Sequence, residues 1–160
     1  MPEEPRLIYW DSCIFLDYIE GSHRWMPILD SLLDQASETG DIVIVTSTLS
    51  IVEVAFASAE RDQKFLDDTV AAAIDDLWAD RSAVRLVEFD QLIAREARAL
   101  LRTSLHAGRG LKPMDAIHLA TASLMRVSDC HTTDDRLQKW DAELGFPVRD
   151  PWTPTPKLGI

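Results

Sequence analysis

Four short strand-forming runs, "LIYW" (7–10), "DIVIVTS" (41–47), "VRLVEF" (84–89) and "DCHTT" (129–133), alternate with longer stretches of helical periodicity. This alternation constrains the fold more than any other feature. Strands that recur only after a helix cannot pair as hairpins; they pair in parallel, with the helices covering both sheet faces. The chain is therefore expected to be an α/β protein: a three-layer α/β/α sandwich with a central, mainly parallel sheet of four to five strands. "PVR" (147–149) supplies the possible fifth strand, at an edge.

The helices are bounded by ordinary signals. Residues 12–20 form a helix stopped by Gly21, and 23–38 a second with Pro27 near its first turn. Two more are expected over about 48–60 and 62–79. Asp90 opens a long amphipathic helix with Leu92, Ile93, Ala97, Leu100, Leu101 and Leu105 on one side. "HAGRGLKP" is a loop, Pro113 starts a helix reaching about Val127, and 134–144 form the last helix, ended by Gly145. A single domain over 1–150 and a Pro-rich tail over 151–160 are expected.

Composition excludes several classes. At 160 residues and 46% hydrophobic, the chain supports a globular core. No apolar run approaches the roughly 20 residues of a membrane span, and "MPEEPR" does not resemble a secretory signal. Cys13 and Cys130 show no metal-ligand spacing, so a reduced, cytoplasmic protein is expected. The net charge of -11 argues against broad electrostatic binding to nucleic acid, but not against a local basic groove. It also suits a chain that gathers carboxylates around a cation.

Those carboxylates have a pattern. Asp11 follows the first strand, Glu53 lies early in the helix after the second, Asp115 follows Pro113, and Asp134 follows the fourth strand. In right-handed crossover units helix N-termini lie at the carboxyl edge of the strands, so all four belong to the edge where open α/β sheets place their sites. Singly, each has a structural reading. Asp11 and Asp134 suit helix N-caps, "SIVE" has capping-box spacing, and Asp115 complements a helix dipole. Together they repel unless one protonates or a cation sits among them, and hard carboxylate oxygens suit Mg²⁺ or Mn²⁺.

"YWDSCIFLDYIEG", "TSTLSIVEV", "LKPMDAIHLATA" and "HTTDDRL" resemble, in order and spacing, the motifs of PIN-domain proteins, and most closely the VapC-type toxins. The likeness runs from about residue 7 to 148. The resemblance implies a PIN α/β/α sandwich with an acidic quartet at Asp11, Glu53, Asp115 and Asp134. Thr132 matches the small hydroxyl beside the last acid, and Ser12 is a second polar support. It further implies a Mg²⁺- or Mn²⁺-dependent endoribonuclease, restrained by a cognate antitoxin and assembled as a homodimer. Asp135 directly follows Asp134, so either can face the metal, although the T-x-D alignment favours Asp134. Leu137 stands where many relatives carry an aromatic residue.

One or two ions on such a site would activate water for in-line attack on RNA, leaving a 5′-phosphate and a 3′-hydroxyl. Candidate phosphate contacts are Arg109 and Lys112, with His23 and Arg24. His118, three residues after Asp115, suits a packed or supporting role, and His106 is the other candidate acid-base group. Cys13 suits an inert thiol, His131 a place in the strand, and the tryptophans core or tail anchors. A receiver-type phosphoacceptor lacks support, because a single Asp follows the first strand and the candidate late Lys is missing directly after "PVRD". A non-catalytic PIN-like scaffold or metal-binding interaction module is the alternative.

Overall fold

The computed structural model describes residues 3–153. One five-stranded sheet, ordered β3-β2-β1-β4-β5, carries helices on both faces. All pairings are parallel: β1 (Arg6–Trp10), β2 (Ile42–Ser47), β3 (Val84–Val87), β4 (Asp129–His131) and β5 (Val148–Arg149). The expected sandwich is thus observed, with "PVR" supplying β5 at an edge.

Alternation along the strands divides the core. Tyr9, Val45, Cys130 and Val148 point to one face and pack with α6 (Gln91–His106), α7 (Pro113–Leu124) and α8 (Asp135–Gln138). Ile8, Trp10, Ile44 and Val84 point to the other, against α1 (Ser12–Glu20), α2 (Met26–Asp34) and α5 (Asp68–Ala79). β1 therefore lies between two cores, as a central parallel strand must. In α7 the small residues Ala116, Ala120, Thr121 and Ala122 are all buried, which brings that helix close to the sheet.

Several helix expectations change. The segment 48–60 breaks into α3 (Leu49–Glu53) and α4 (Ser58–Gln63). Val54 leaves helical geometry and is buried, and the Glu60 carboxylate accepts from the backbone N–H groups of Ala57 (3.1 Å) and Asp67 (2.8 Å). The buried acid thus organises the second start, a constraint invisible to local propensity. The expected helix over 62–79 begins only at α5, where Asp67 caps Thr69. The last helix divides into α8 and α9 (Asp141–Leu144), which lets Trp140 enter the core. The second helix begins at Met26 and ends in a π-helical turn (Gln35–Thr39) before Gly40. Leu92 and Leu105 are exposed, because α6 buries the stripe Ile93, Ala97, Leu100 and Ser104 instead.

Across β1, β4 and β5 the buried Asp129 accepts from Arg6 (3.0 Å) and Arg149 (2.7 Å). Both guanidiniums also lie against the Trp152 ring, so the first part of the tail anchors on this sheet face. The rest of the expected tail, 154–160, lies outside the described residues.

His131, in β4, is fully buried, and neither ring nitrogen has a hydrogen-bond partner among the described residues. Burial pulls its pKa from 6.5 to about 4. The stability that a neutral His131 contributes is present above pH 6.5 and lost as pH falls through about 4. By linkage the loss between pH 7 and 4 is on the order of 3 kcal/mol. Urea unfolding of His131→Leu should therefore show a weaker loss over this range, with stability at pH 7 unchanged or raised.

Candidate active site

β1 and β4 are neighbours, with Trp10 paired to His131, so the residues following each strand emerge side by side. From there α1 packs on one face of the sheet and α8 on the other, which opens a crevice at the carboxyl edge. Asp11 sits at its floor, buried, as the N-cap of α1. Its Oδ1 accepts from the backbone N–H of Cys13 (3.1 Å) and from the Cys13 thiol (2.7 Å). Its Oδ2 accepts from the Thr132 hydroxyl at 2.6 Å. Burial nevertheless outweighs these donors and raises the Asp11 pKa. An ionised Asp11 is held at a cost.

Cys13 does more than pack. Burial first, and then Asp11, push its pKa up to about 12, so the thiol keeps its proton and donates it to Asp11. The sulfur in turn accepts from the hydroxyl (3.3 Å) and backbone N–H (3.4 Å) of Thr133. It links α1 to the segment after β4. The signal in the sequence was only its place two residues after Asp11.

Asp134 caps α8, and its backbone N–H donates to Thr132 Oγ1 at 3.1 Å. One hydroxyl thus connects both acids flanking the crevice. Arg136 grips the Asp134 carboxylate through Nε to Oδ1 (3.0 Å) and a terminal nitrogen to Oδ2 (2.8 Å), and its hydrogen bonds hold the Asp134 pKa down. Asp135 is exposed. Asp115, in the first turn of α7, is half-buried. Burial raises its pKa, and the charges of Asp134 and Asp11 raise it further. Three acids therefore feel one another across the crevice.

Glu53, at the end of α3, completes the set through another route. Its carboxylate meets His118 Nε2 at 2.5 Å, while His118 Nδ1 lies 2.6 Å from the Tyr9 hydroxyl. That hydroxyl accepts from the backbone N–H of Ser47 at 3.2 Å. With Nε2 donating to Glu53 and Nδ1 accepting from Tyr9, both His118 nitrogens and the Tyr9 hydroxyl are satisfied. Burial alone would raise the Glu53 pKa, but His118 and then Ser12 outweigh it, and the net shift is downward. The capping-box role of Glu53 is not used; Thr48 precedes α3 without a side-chain cap. The supporting Tyr9 went unnoticed because its apolar neighbours make it look like a plain core residue.

The basic candidates separate. Lys112 precedes α7 and lies close enough to lower the Asp134 pKa. Arg109 is committed to structure: it donates to the carbonyl of Lys139 (2.9 Å), pairs with Glu143 and stacks on Trp140. Arg24 stacks on Trp25 and follows the far end of α1, about 13 Å along that helix from Ser12. His23 and His106 are exposed.

Carboxylate and hydroxyl oxygens are a suitable donor set for Mg²⁺ or Mn²⁺, and the repulsion felt by Asp115 is what a cation would relieve. Among the described residues, however, no three His, Cys, Asp or Glu side chains stand together as a ready-made metal cluster.

A family model described as "PIN domain" matches residues 8–143. No curated protein matches the chain. Among solved structures, VapBC2 from Rickettsia felis bound to a promoter DNA fragment matches with a TM-score of 0.65 at 11% identity, over 90% of this chain and 98% of that one. A toxin-antitoxin complex from Klebsiella pneumoniae matches with a TM-score of 0.59 at 21% identity, over 92% and 99%. VapC20 from Mycobacterium tuberculosis, described as a sarcin-ricin loop cleaving toxin, matches with a TM-score of 0.61 at 15% identity, over 87% and 95%. At these identities the likeness shows a shared fold.

Thr132→Val should test the hydroxyl that joins the two acids. Leaving buried Asp11 without its Oδ2 donor should cost about 1–3 kcal/mol in urea unfolding at pH 7. The loss should shrink towards acid pH, where Asp11 is protonated.

Proposed function

The chain belongs to the PIN-domain family, and from that membership we propose that it is a divalent-metal-dependent endoribonuclease that hydrolyses RNA phosphodiester bonds. One observation carries the reading: buried Asp11 and half-buried Asp115 converge with Asp134 at the crevice between β1 and β4, so that burial first, and then Asp134 and Asp11, push the Asp115 pKa up. Structural caps have no reason to be gathered at such cost. Asp11, Asp115 and Asp134 would hold Mg²⁺ or Mn²⁺, with Glu53 a direct or water-mediated ligand. When bound, the cation supplies charge stabilisation at the phosphate and lowers the pKa of water.

The chain's own groups do the rest. Thr132 and Cys13 orient Asp11, while Tyr9 and His118 orient Glu53. Glu53, held ionised by His118 and Ser12, would accept the proton of an attacking water. In-line attack on phosphorus breaks the bond to the 3′ oxygen, leaving a 5′-phosphate and a 3′-hydroxyl. Lys112 is the candidate for a phosphate contact, whereas Arg109 would have to leave three structural partners to serve as one.

The single domain over 1–150 would act as the toxin of a type II toxin-antitoxin pair in the cytoplasm. The likeness to chains from VapBC and other toxin-antitoxin complexes supports an antitoxin partner. Exposed Ile51, Val52, Phe56, Phe89 and Leu92 support a second copy as the cover for an apolar surface. A second reading, a non-catalytic PIN-like scaffold or interaction module, is favoured by the lack of a preassembled three-ligand cluster among the described residues.

Cleavage of labelled total tRNA and a structured RNA separates the two. With Mn²⁺ or Mg²⁺ the partner-free protein should cut, with EDTA it should not, and Asp115→Asn should lose about 10²-fold or more in rate. A folded protein that binds no Mn²⁺ in calorimetry and cuts neither RNA would be a scaffold.

A further inference from the structure

Arg136 has no assigned part in the reading above, yet it occupies the most exposed acid of the site. It grips Asp134 two residues away through a planar fork, Nε to Oδ1 at 3.0 Å and a terminal nitrogen to Oδ2 at 2.8 Å. Its backbone N–H donates to the same Oδ1 at 2.9 Å. Both carboxylate oxygens of Asp134 are thereby engaged. The guanidinium also sits in the combined field of Asp115 and Asp135, and it counters the repulsion that Asp115 feels. Unlike the Arg6 and Arg149 pairs with buried Asp129, this pair is open to solvent: the Arg136 side chain is 65% exposed. No ring stacks on it and no second acid grips it among the described residues. Such a bond forms and breaks readily.

We infer that Arg136 is the resident counter-ion of the acidic crevice, occupying Asp134 until a divalent cation takes that carboxylate and releases the guanidinium to face RNA phosphate. This rests on the metal-dependent reading of the site. A divalent cation on either oxygen of Asp134 brings a like charge against the guanidinium and so competes with the fork. Arg136 then swings on an exposed side chain at the rim of the crevice, in a chain whose net charge of -11 otherwise repels a polyanion. A planar fork suits a phosphate as well as a carboxylate.

Mn²⁺ titration calorimetry on the full chain, without RNA, tests the exchange. Arg136→Gln should bind Mn²⁺ about two- to fivefold more tightly than the wild type, the range for losing a solvent-screened ion pair. Arg136→Lys, which keeps the charge but not the fork, should fall between. In cleavage assays Arg136→Gln should raise KM for RNA with little change in kcat, and Arg136→Lys should restore part of it. Unchanged or weaker Mn²⁺ binding in Arg136→Gln, with wild-type binding abolished by Asp115→Asn, would overturn the counter-ion role and leave the metal site standing. Lower kcat at unchanged KM would overturn the release to phosphate. Absence of Mn²⁺ binding in every variant and the wild type would overturn both the exchange and the metal site itself.

Discussion

The parallel pairing of β1 with β4 is the constraint on which the rest of this protein depends. These strands lie at opposite ends of the chain, yet Ile8, Tyr9 and Trp10 align with Asp129, Cys130 and His131. That register brings Asp11 beside Thr132, and the two are joined by a 2.6 Å hydrogen bond. Because the next helices leave to opposite faces, the space between the strand ends stays open. A crevice at such a switch is a consequence of topology, before any particular side chain is considered. At the other end of the same strands, buried Asp129 ties Arg6 and Arg149 together across β1, β4 and β5. Losing Asp129 would leave two guanidiniums facing each other without their shared counter-charge.

The crevice is electrostatically expensive, and the surrounding residues are arranged to meet that expense. Asp11 receives three donors yet remains shifted upward by burial. Asp115 is shifted upward by burial and by its neighbours. Glu53 and Asp134 are shifted downward, chiefly by His118 and Arg136 respectively, with Ser12 and Lys112 adding to the effect. Four carboxylates therefore divide into two that resist ionisation and two that accept it. The difference comes from their neighbours in space, two of which (Thr132 for Asp11 and His118 for Glu53) are far in sequence from the acid they serve.

A layer of hydrogen bonds behind the acids gives them fixed directions. Tyr9 belongs to a core strand, but its hydroxyl reaches His118 on α7 and Ser47 at the end of β2. Cys13 spans from α1 to Thr133. These links cross between the elements that carry Asp11, Glu53, Asp115 and Asp134, so movement of one acid is resisted by the scaffolds of the others. Such positioning from behind is what a preorganised polar site requires.

Much of this was legible in the sequence. Strand-forming runs that recur only after helices determined a parallel sheet with two covered faces, because only crossover connections join such strands. The same alternation placed Asp11, Glu53, Asp115 and Asp134 at one edge, since helices in crossover units run back against the strands and start at their carboxyl edge. What the sequence could not determine were choices made by contacts between distant segments. Helix breaks after Glu53 and Lys139 follow from burying Val54 and Trp140, although local propensity favours continuation. Arg109 and Lys112 look alike in the loop, but Trp140 and Glu143 claim one and leave the other near Asp134. His118 and Tyr9 share a site only because α7 packs on β1, and burial, which sets the charge of each acid, exists only once the layers close. Periodicity is a property of the chain; dielectric and partnership are properties of the packed fold.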